Sequence, residues 1–313
     1  MQWVRNKRRE TRLLGVTTGD QSVAAAVVER LPGQPPRLQW TAHASGDDRA
    51  ALLRQLGRRR ELRQVRCAGA VAPGEYSLVM VDAPQVPPAE LREAVRWRVN
   101  ELIDFHVDDA VIDVFDVPAA NVAHHTRLYA VAARAQSVRQ VVDAFNEAGF
   151  RLEYVDIPEF ALRNLATLLS EDAGGVALVA LERERGLLTI TRQGNLYLSR
   201  RFDYGTDRLL GDGETEVSNE REGLLDSLVI EIQRSLDYYE RHFAQPAVHG
   251  VVLAPAARDM TVAAPYLQSQ LGLPVRGLDL NELLDPPVPL SPAEQAHCLA
   301  AVGLALRDQR VAL

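Results

Sequence analysis

The chain has 313 residues, of which 47% are hydrophobic, and its 35 lysines and arginines against 42 aspartates and glutamates give a net charge of −7. This length and apolar content suffice for a large core or two lobes, and the negative balance argues against general nucleic-acid binding. Because no apolar run is long enough to span a membrane and no signal-peptide core follows the basic N-terminus, the sequence predicts a soluble, cytoplasmic protein.

Positive charge is concentrated in two short runs. The first is a basic tail, residues 1–12 (MQWVRNKRRETR), and the second is the segment 57–66 (GRRRELRQVR). Two interpretations remain open for both runs. They are either a solvated tail and a solvated helix face, or contacts with an anionic surface, which would be a partner or the inner membrane leaflet.

The first half of the chain alternates strand-like and helix-like segments, which predicts an α/β architecture. Residues 13–30 have the pattern of a β-hairpin turning at Gly19, and residues 50–66 that of a helix with leucines on one side. The segment 77–152 then predicts the order β-α-β-β-α, with its first helix opened by a double proline and its last helix closed by Gly149. This segment therefore forms a compact α/β module of its own.

The pattern restarts after Gly174. A buried strand over 176–181 and a hairpin turning at Gln193-Gly194 precede a polar loop over 203–222. A long amphipathic helix over 223–243, two short strands and a last helix follow. The sequence SPAE, which begins at Ser291, gives that last helix an N-cap, a first-turn proline and a capping-box glutamate. Periodicity alone thus supports an α/β protein with two lobes.

Two cysteines, Cys67 and Cys298, lie far apart among small apolar residues. Their positions predict buried free thiols, and a reducing compartment fits this pattern.

Five segments in order resemble the PilM/MshI family of type IV pilus biogenesis proteins, to which proteins of the mannose-sensitive haemagglutinin (MSHA) pilus belong. These segments are ELREAVRWRVNELIDFHVDDAVIDV, RLYAVAAR, FNEAGFRLEYVDIPEFALRNL, LVIEIQRSLDYYE and AAVGLALR. The resemblance implies a two-lobed actin-like (RNase H-like) α/β fold, similar to that of the cell-division protein FtsA, with an α/β subdomain inserted in the first lobe and a shortened outer subdomain in the second.

On this chain the resemblance implies a division into a tail and two lobes. The predicted ranges are the basic tail 1–12, the first-lobe core 13–76 completed by 153–173 and by the C-terminal helix 291–313, the inserted subdomain 77–152, and the second lobe 174–290 with its shortened outer subdomain at 205–223.

Three loops that bind nucleotide in actin-like ATPases depart here from the family pattern. The degenerate positions are Thr17, Gly19, Asp20, Ala24, Ala180, Glu182, Ala254 and Pro255. Thr17 replaces the metal-binding aspartate of the first loop and Ala24 its lysine. Glu182 replaces a glycine of the second loop, where a carboxylate repels phosphate, and Pro255 removes an N–H donor from the adenosine loop. We therefore expect a pseudo-ATPase with no catalytic residue, no cofactor and no metal.

Other polar residues were weighed as catalytic or metal-binding groups. Asp20 is either a displaced metal ligand or a turn residue, and Glu182 with Glu184 is either an acid–base pair or a solvated strand end. His124-His125 has no ligand-type neighbour at metal spacing, which favours a loop. An acidic patch comprises Asp104, Asp108, Asp109, Asp113 and Asp116. An electrostatic interface or solubility explains that patch better than catalysis.

The resemblance also implies a partner. PilM-like proteins lie at the cytoplasmic face of the inner membrane, bind the cytoplasmic N-terminal peptide of a single-pass PilN-like protein, and connect through it to the assembly ATPase. The candidate partner-binding residues are Arg96, Trp97, Asn100 and Phe105. For Trp97, core packing and an interface hot spot both remain open, and Arg96 and Arg98 have the alternative of solvated helix charges.

The alternative function is a nucleotide-binding actin-like ATPase of pilus or type II secretion assembly, with ATP and Mg as cofactors. GspL-like secretion proteins of this fold continue into a transmembrane helix. This sequence reaches Leu313 without such a segment, so the pilus interpretation is preferred.

Overall fold

The computed structural model of the protein describes residues 11–19, 21–87, 90–118, 127–210 and 219–308. Up to residue 166 its elements are β1 (Arg12–Thr18), β2 (Ser22–Glu29), β3 (Arg37–Ser45), α1 (Arg49–Gly57), β4 (Arg66–Ala70), β5 (Tyr76–Asp82), α2 (Leu91–Val99), a 3-10 turn (Val107–Asp109), β6 (Ala110–Val117), β7 (Arg127–Arg134), α3 (Ala135–Ala148), β8 (Arg151–Asp156) and α4 (Pro158–Ala166).

The second half of the chain repeats the strand-rich pattern. Its elements are a 3-10 turn (Ser170–Ala173), β9 (Val176–Leu181), β10 (Gly186–Arg192), β11 (Asn195–Phe202), α5 (Thr206–Leu210), α6 (Asn219–Phe243), β12 (Gly250–Leu253), a 3-10 turn (Met260–Ala263), α7 (Ala264–Leu271), β13 (Val275–Gly277), α8 (Leu280–Leu284) and α9 (Pro292–Ala305).

The strands form two five-stranded sheets of the same design and one small sheet. The first sheet has the order β3-β2-β1-β4-β8 and the second the order β11-β10-β9-β12-β13. In both, three antiparallel strands are extended by two parallel ones. The small sheet, β5-β7-β6, is antiparallel and comes from the segment between β4 and α3. The α/β architecture expected from the sequence is confirmed.

The two hairpin turns and the helix cap that the sequence predicts are present. Gly19 closes the first hairpin by donating its N–H to the carbonyl of Ser22 at 2.9 Å. Gln193 and Gly194 turn the β10–β11 hairpin with φ of 50° and 75°, the left-handed pair that fits the twist of two antiparallel strands. The capping box at the start of α9 is present, with both Ser291 and Glu294 making their bonds. The cysteines are buried and free.

One predicted helix is shorter than its pattern indicates. The segment 50–66 is helical only as α1, which ends at Gly57. A side chain at Gly57 would clash with the carbonyl oxygen of Ala148, so the chain turns there against the end of α3. Leu62 is nevertheless buried in the first lobe, which explains why the leucine pattern continues beyond the helix.

The last helix, α9, packs against the first sheet and α4 at very short range. A side chain at Gly15 of β1 would clash with the carbonyl of Ala301, and one at Gly303 would clash with the carbonyl of Ala161 in α4. The buried side chains of α9 join residues from both large sheets in a single apolar cluster. The small-residue composition of this helix is therefore a packing requirement.

The small sheet lies between α2 and the second lobe. One face packs on α2 through Val95, Val99 and Val114. The opposite face places Phe115 and Tyr129 in the core of the second lobe, and the Tyr129 hydroxyl donates to the carbonyl of Tyr197 at 3.0 Å. The β-α-β-β-α order predicted for 77–152 is confirmed, and this segment contacts both halves of the protein.

The predicted division into domains stays a proposal, and we narrow its inserted part. Within the range 77–152, α3 places Phe145 and Ala148 in the core of the first lobe, together with Leu14 and Leu53. Since α3 packs on the first sheet, we propose an insert that comprises the small sheet and α2 only.

A buried carboxylate joins α4 to the small sheet and to the second sheet. Glu159, at the start of α4, is only 2% exposed. It accepts hydrogen bonds from the Tyr76 hydroxyl of β5 and, at 2.6 Å, from the guanidinium of Arg201 on β11. The guanidinium also lies over the Tyr76 ring, 4.7 Å from its centroid. Burial, together with the Glu159 charge, raises the pKa of Tyr76, so the phenol stays protonated and donates.

We predict that Arg201→Met lowers the free energy of unfolding by about 3 kcal/mol, because it leaves the Glu159 carboxylate buried without its cation. Arg200→Met is the matched control on the same strand. The Arg200 ion pair with Glu231 is partly solvated, so its loss should cost at most about 1 kcal/mol. Urea denaturation measures the free energy of unfolding of both variants. Equal losses in the two would contradict the role assigned to Glu159.

Candidate functional site

The first degenerate loop is a tight hairpin with apolar surroundings. Thr17 and Ala24 are paired across β1 and β2. Thr17 is half-buried, and the Ala24 side chain is only 5% exposed, within the apolar cluster that α9 shares with both sheets. Asp20, which was weighed as a displaced metal ligand, lies outside the described residues. The position that would hold a phosphate-binding lysine is thus part of the core.

The second and third degenerate loops are adjacent in the second sheet. Leu253 of β12 is paired with Val179 of β9, and the Ala254 N–H donates to the Val179 carbonyl at 2.8 Å. Ala180 and Ala254 are the next residues on these two neighbouring strands, so they lie at the same edge of the sheet. Both pack in the cluster that contains Ala24. The structure brings one position from each of the three loops together, and all three carry methyl groups.

The N-terminus of helix α5 packs against the turn of the second loop. The carbonyls of Glu182 and Arg183 accept the N–H groups of Thr206 and Asp207, at 2.8 and 2.9 Å, at the start of α5. A side chain at Gly205 would clash with this same turn. Since the turn carbonyls satisfy the N–H groups that begin a helix, its backbone is fixed against α5.

The carboxylates weighed for acid–base chemistry point to water. Glu182 is exposed, and its carboxylate lies 4.0 Å from the Arg185 guanidinium in the same turn. Glu184 is exposed as well. This exposure favours the interpretation of the run as a solvated strand end. His124-His125 falls outside the described residues.

A different surface stands out on the insert. Trp97 of α2 is 74% exposed, whereas Val95 and Val99 of the same helix are fully buried. A helix turns about 100° per residue, so position 97 faces almost opposite to the two valines. The core-packing interpretation of Trp97 is therefore wrong, and a large aromatic side chain is presented to solvent.

Of the other candidate partner residues, Arg96 and Asn100 lie near Trp97 in the sequence of α2, whereas Phe105 packs against the buried cluster that contains Val95 and Val99. Arg96 donates to Asp108 at 2.9 Å, and Asn100 is exposed at the end of α2. Phe105 is half-buried beneath the Arg134 guanidinium, which is 4.4 Å from its ring centroid. The described structure thus brings Arg96, Trp97 and Asn100 onto one end of α2, with Phe105 in the segment that follows. Arg98, exposed as expected, donates to the Asp82 carbonyl.

Part of the acidic patch is neutralised by arginines. Asp108 pairs with Arg96, Asp113 with Arg92 at 3.1 Å, and Asp104 with Arg134 at 3.4 Å. Two of these pairs connect α2 to β6 and to the 3-10 turn before it, and the third connects the loop after α2 to the end of β7. Within the described ranges no group of three histidine, cysteine, aspartate or glutamate side chains is placed to hold a metal ion.

A cavity of about 170 Å³ lies between the first sheet, α1 and α3. Its walls come from the end of β1, from α1, from the β4–β5 connection and from α3. Ser137 of α3 donates to Glu75 on its wall. The Glu75 carbonyl in turn accepts the N–H of Arg134, the residue above Phe105.

Sequence reasoning missed Glu75 and Ser137 on the cavity wall, as well as the Glu159 cluster. Glu159 follows a proline at a helix start, where a carboxylate is ordinary, and only its buried contacts distinguish it. Among the helices of the described residues, none has the length and apolar composition needed to cross a membrane.

A family profile and a solved structure both relate this chain to PilM proteins. The sequence profile of the family described as type IV pilus assembly protein PilM matches residues 43–212, just over half of the chain. No curated protein sequence matches the chain significantly.

Among solved structures, a PilM–PilN type IV pilus biogenesis complex has a chain that is 21% identical, with a TM-score of 0.71, over 94% of this chain and 97% of that one. The cytoplasmic domain of EpsL, an inner-membrane component of the type II secretion system of Vibrio cholerae, is 11% identical with a TM-score of 0.50 over 92% and 94% of the two chains. A Bacteroides thetaiotaomicron protein with an actin-like ATPase fold and unknown function is 8% identical, also with a TM-score of 0.50, over 89% and 93%. The fold is therefore actin-like.

We predict that Mg-ATP and Mg-ADP produce no saturable heat up to millimolar concentration in calorimetric titration, because methyl groups and a fixed turn occupy the three loop positions. Thermal unfolding in the same solutions is the control, since a ligand that binds only the folded state raises the midpoint. Micromolar binding, or a clear rise in the midpoint, would show that the nucleotide site is intact.

Proposed function

This chain belongs to the PilM family of type IV pilus assembly proteins, and from that membership we propose that it is a scaffold of pilus assembly that docks the cytoplasmic tail of a PilN-like inner-membrane protein. The family match over residues 43–212 carries the proposal. It is supported by the likeness in fold to the chain from a PilM–PilN complex and by the exposed tryptophan on the insert.

The proposed scaffold is a pseudo-ATPase. Support comes from the burial of Ala24 and Ala254 in an apolar cluster and from the turn at Glu182, whose carbonyls cap α5. The cavity of about 170 Å³ is not lined by these positions. The alternative, a nucleotide-dependent ATPase of pilus or type II secretion assembly, needs a phosphate site where these methyl groups pack.

The proposed location is the inner face of the inner membrane, and the proposed pilus is of the MSHA type, with the chain acting as its MshI-like component. A tail-binding scaffold at that place connects to the assembly ATPase only through its membrane partner. The basic runs noted in the sequence fit a peripheral contact with anionic lipid.

The proposed docking surface includes Arg96, Trp97, Asn100 and Phe105. Tryptophan and arginine are the residues that most often dominate binding energy when a partner covers them. The cavity between the first sheet, α1 and α3 extends this surface, since Arg134 links Phe105 to Glu75 on the cavity wall. An extended peptide that reaches from the Trp97 end of α2 to that cavity would contact both the insert and the first lobe.

We predict that Trp97→Ala weakens binding of the partner's N-terminal peptide at least about tenfold, which corresponds to the loss of an interface hot spot. The thermal midpoint should stay unchanged, because the side chain is 74% exposed. Fluorescence anisotropy with a labelled peptide measures the affinity.

Val262→Ala is the matched control, because Val262 is an exposed apolar residue, 63% exposed, in the second lobe. Its affinity for the peptide should equal that of the unmodified protein. If the unmodified protein fails to bind the peptide at tens of micromolar, the scaffold proposal fails. If it binds and Trp97→Ala binds equally well, only the assignment of the surface fails.

A further inference from the structure

The first sheet brings the last residues of the two basic runs, Arg12 and Arg66, to one edge. Strand β1 begins at Arg12 and β4 begins at Arg66. The two strands are parallel neighbours, with Leu13 opposite Arg66, and Arg66 is in turn opposite Arg151 at the start of β8. Segments about fifty residues apart in the sequence therefore lie side by side.

Further arginines reach the same edge from other elements. Arg30 ends the hairpin partner of β1, and its N–H donates to the Thr11 carbonyl. Arg307, after α9, pairs with Asp156 and lies over the Tyr154 ring, 4.7 Å from its centroid. We call this surface the basic edge. Its described arginines are Arg12, Arg30, Arg58, Arg59, Arg60, Arg63, Arg66, Arg151 and Arg307.

Arginines outnumber carboxylates at the basic edge, although the whole chain is net negative. The carboxylates present there are Glu29, Glu61, Glu153, Asp156 and Asp308. The loop between α1 and β4 carries most of the excess positive charge. Arg58, Arg60 and Arg63 are exposed, and none of them has an ion pair within the described parts of the chain, so three solvated cations project from this loop.

A cavity of about 350 Å³ opens in the middle of the basic edge. Arg12, Arg30, Arg66 and Arg307 line it together with Tyr154 and Asp308. The Arg30 Nε is buried and has no hydrogen-bond partner among the described residues, whereas a terminal nitrogen of the same guanidinium donates to the Leu306 carbonyl. Burial lowers the pKa of this guanidinium, and the nearby Asp308 charge opposes that shift. A buried N–H group without an acceptor destabilises the folded state. An anionic oxygen bound in the cavity would accept a hydrogen bond from the Arg30 Nε–H.

An apolar turn borders this cavity. Leu31 and Pro32 follow Arg30, line the cavity and are exposed. Exposed apolar side chains beside arginines match the boundary between lipid headgroups and acyl chains, where cations meet phosphates and apolar groups enter the interface. The chemistry of the edge therefore suits an anionic lipid surface better than a solvated charge run alone.

We propose that the basic edge of the first sheet is the surface by which this protein contacts a bilayer that contains anionic phospholipid. The proposal rests on the location at the inner membrane proposed above and adds the residues that make the contact. The loop arginines supply long-range attraction, the cavity around Arg30 receives a headgroup phosphate, and the turn at Leu31 lies against the lipid.

Sedimentation with vesicles tests the proposal on the full chain. The protein should bind vesicles of equal parts phosphatidylglycerol and phosphatidylcholine, should not bind phosphatidylcholine alone, and should be released by added salt. The combined variant Arg58→Gln, Arg60→Gln, Arg63→Gln should lower the vesicle affinity about a hundredfold, at roughly fivefold for each charge near an anionic surface. Its folding should be unaffected, because these side chains are exposed.

The matched control removes three exposed arginines from the second lobe, as Arg183→Gln, Arg234→Gln, Arg241→Gln. The net charge changes equally, yet vesicle binding should change less than about twofold, because charges beyond the screening length contribute little. An equal loss in both variants would mean that binding follows net charge, and would overturn the assignment to the basic edge.

Two further outcomes separate this proposal from the scaffold proposal. The loop variant should bind the partner peptide as tightly as the unmodified protein does, so lost vesicle binding with intact peptide binding supports the basic edge. Vesicle binding without peptide binding would leave the basic edge standing and remove the scaffold function. Binding to heparin but not to anionic vesicles would assign the edge to an acidic macromolecule and contradict the membrane proposal.

Discussion

The buried carboxylate of Glu159 constrains how the parts of this protein are placed. A carboxylate that is 2% exposed destabilises the fold by several kcal/mol unless a cation and further hydrogen bonds accompany it. Here the cation, Arg201, comes from the edge strand of the second sheet, and the second donor, Tyr76, comes from the first strand of the insert. The carboxylate itself begins α4, which packs on α9. The insert, the central helices and the second lobe are therefore fixed to one another at a single point.

With the lobes fixed in this way, apolar side chains supply the contact between them. Val176 and Leu178 of the second sheet and Ala24 and Ala26 of the first belong to one cluster with α9. The two lobes thus share an apolar core. A protein built like this presents its insert, and Trp97 on it, in a constant orientation, which is what a docking scaffold requires. The methyl groups of Ala24, Ala180 and Ala254 belong to this interlobe cluster.

The sequence predicted the features that depend on local chemistry. The turns at Gly19 and Gln193-Gly194 and the capping box of α9 follow from a few adjacent residues, so they were predicted and are confirmed. The end of α1 was not predicted, because it depends on the close contact of Gly57 with Ala148, which is distant in the sequence. For Trp97 the sequence left core packing and an interface hot spot open, and only the burial of Val95 and Val99 showed which side of the helix faces the core. The proximity of Arg12 and Arg66 likewise depends on the parallel pairing of β1 with β4, which no local pattern encodes.

The central claim is that this protein docks a partner through a surface that nucleotide does not control. The most direct test is the affinity for the N-terminal peptide of the PilN-like partner, measured by titration calorimetry in the presence and absence of millimolar Mg-ATP. The account predicts saturable binding with the same dissociation constant in both solutions. No binding, or a dissociation constant that changes several-fold with Mg-ATP, would contradict it, and in the second case the cleft between the lobes would be a working nucleotide switch.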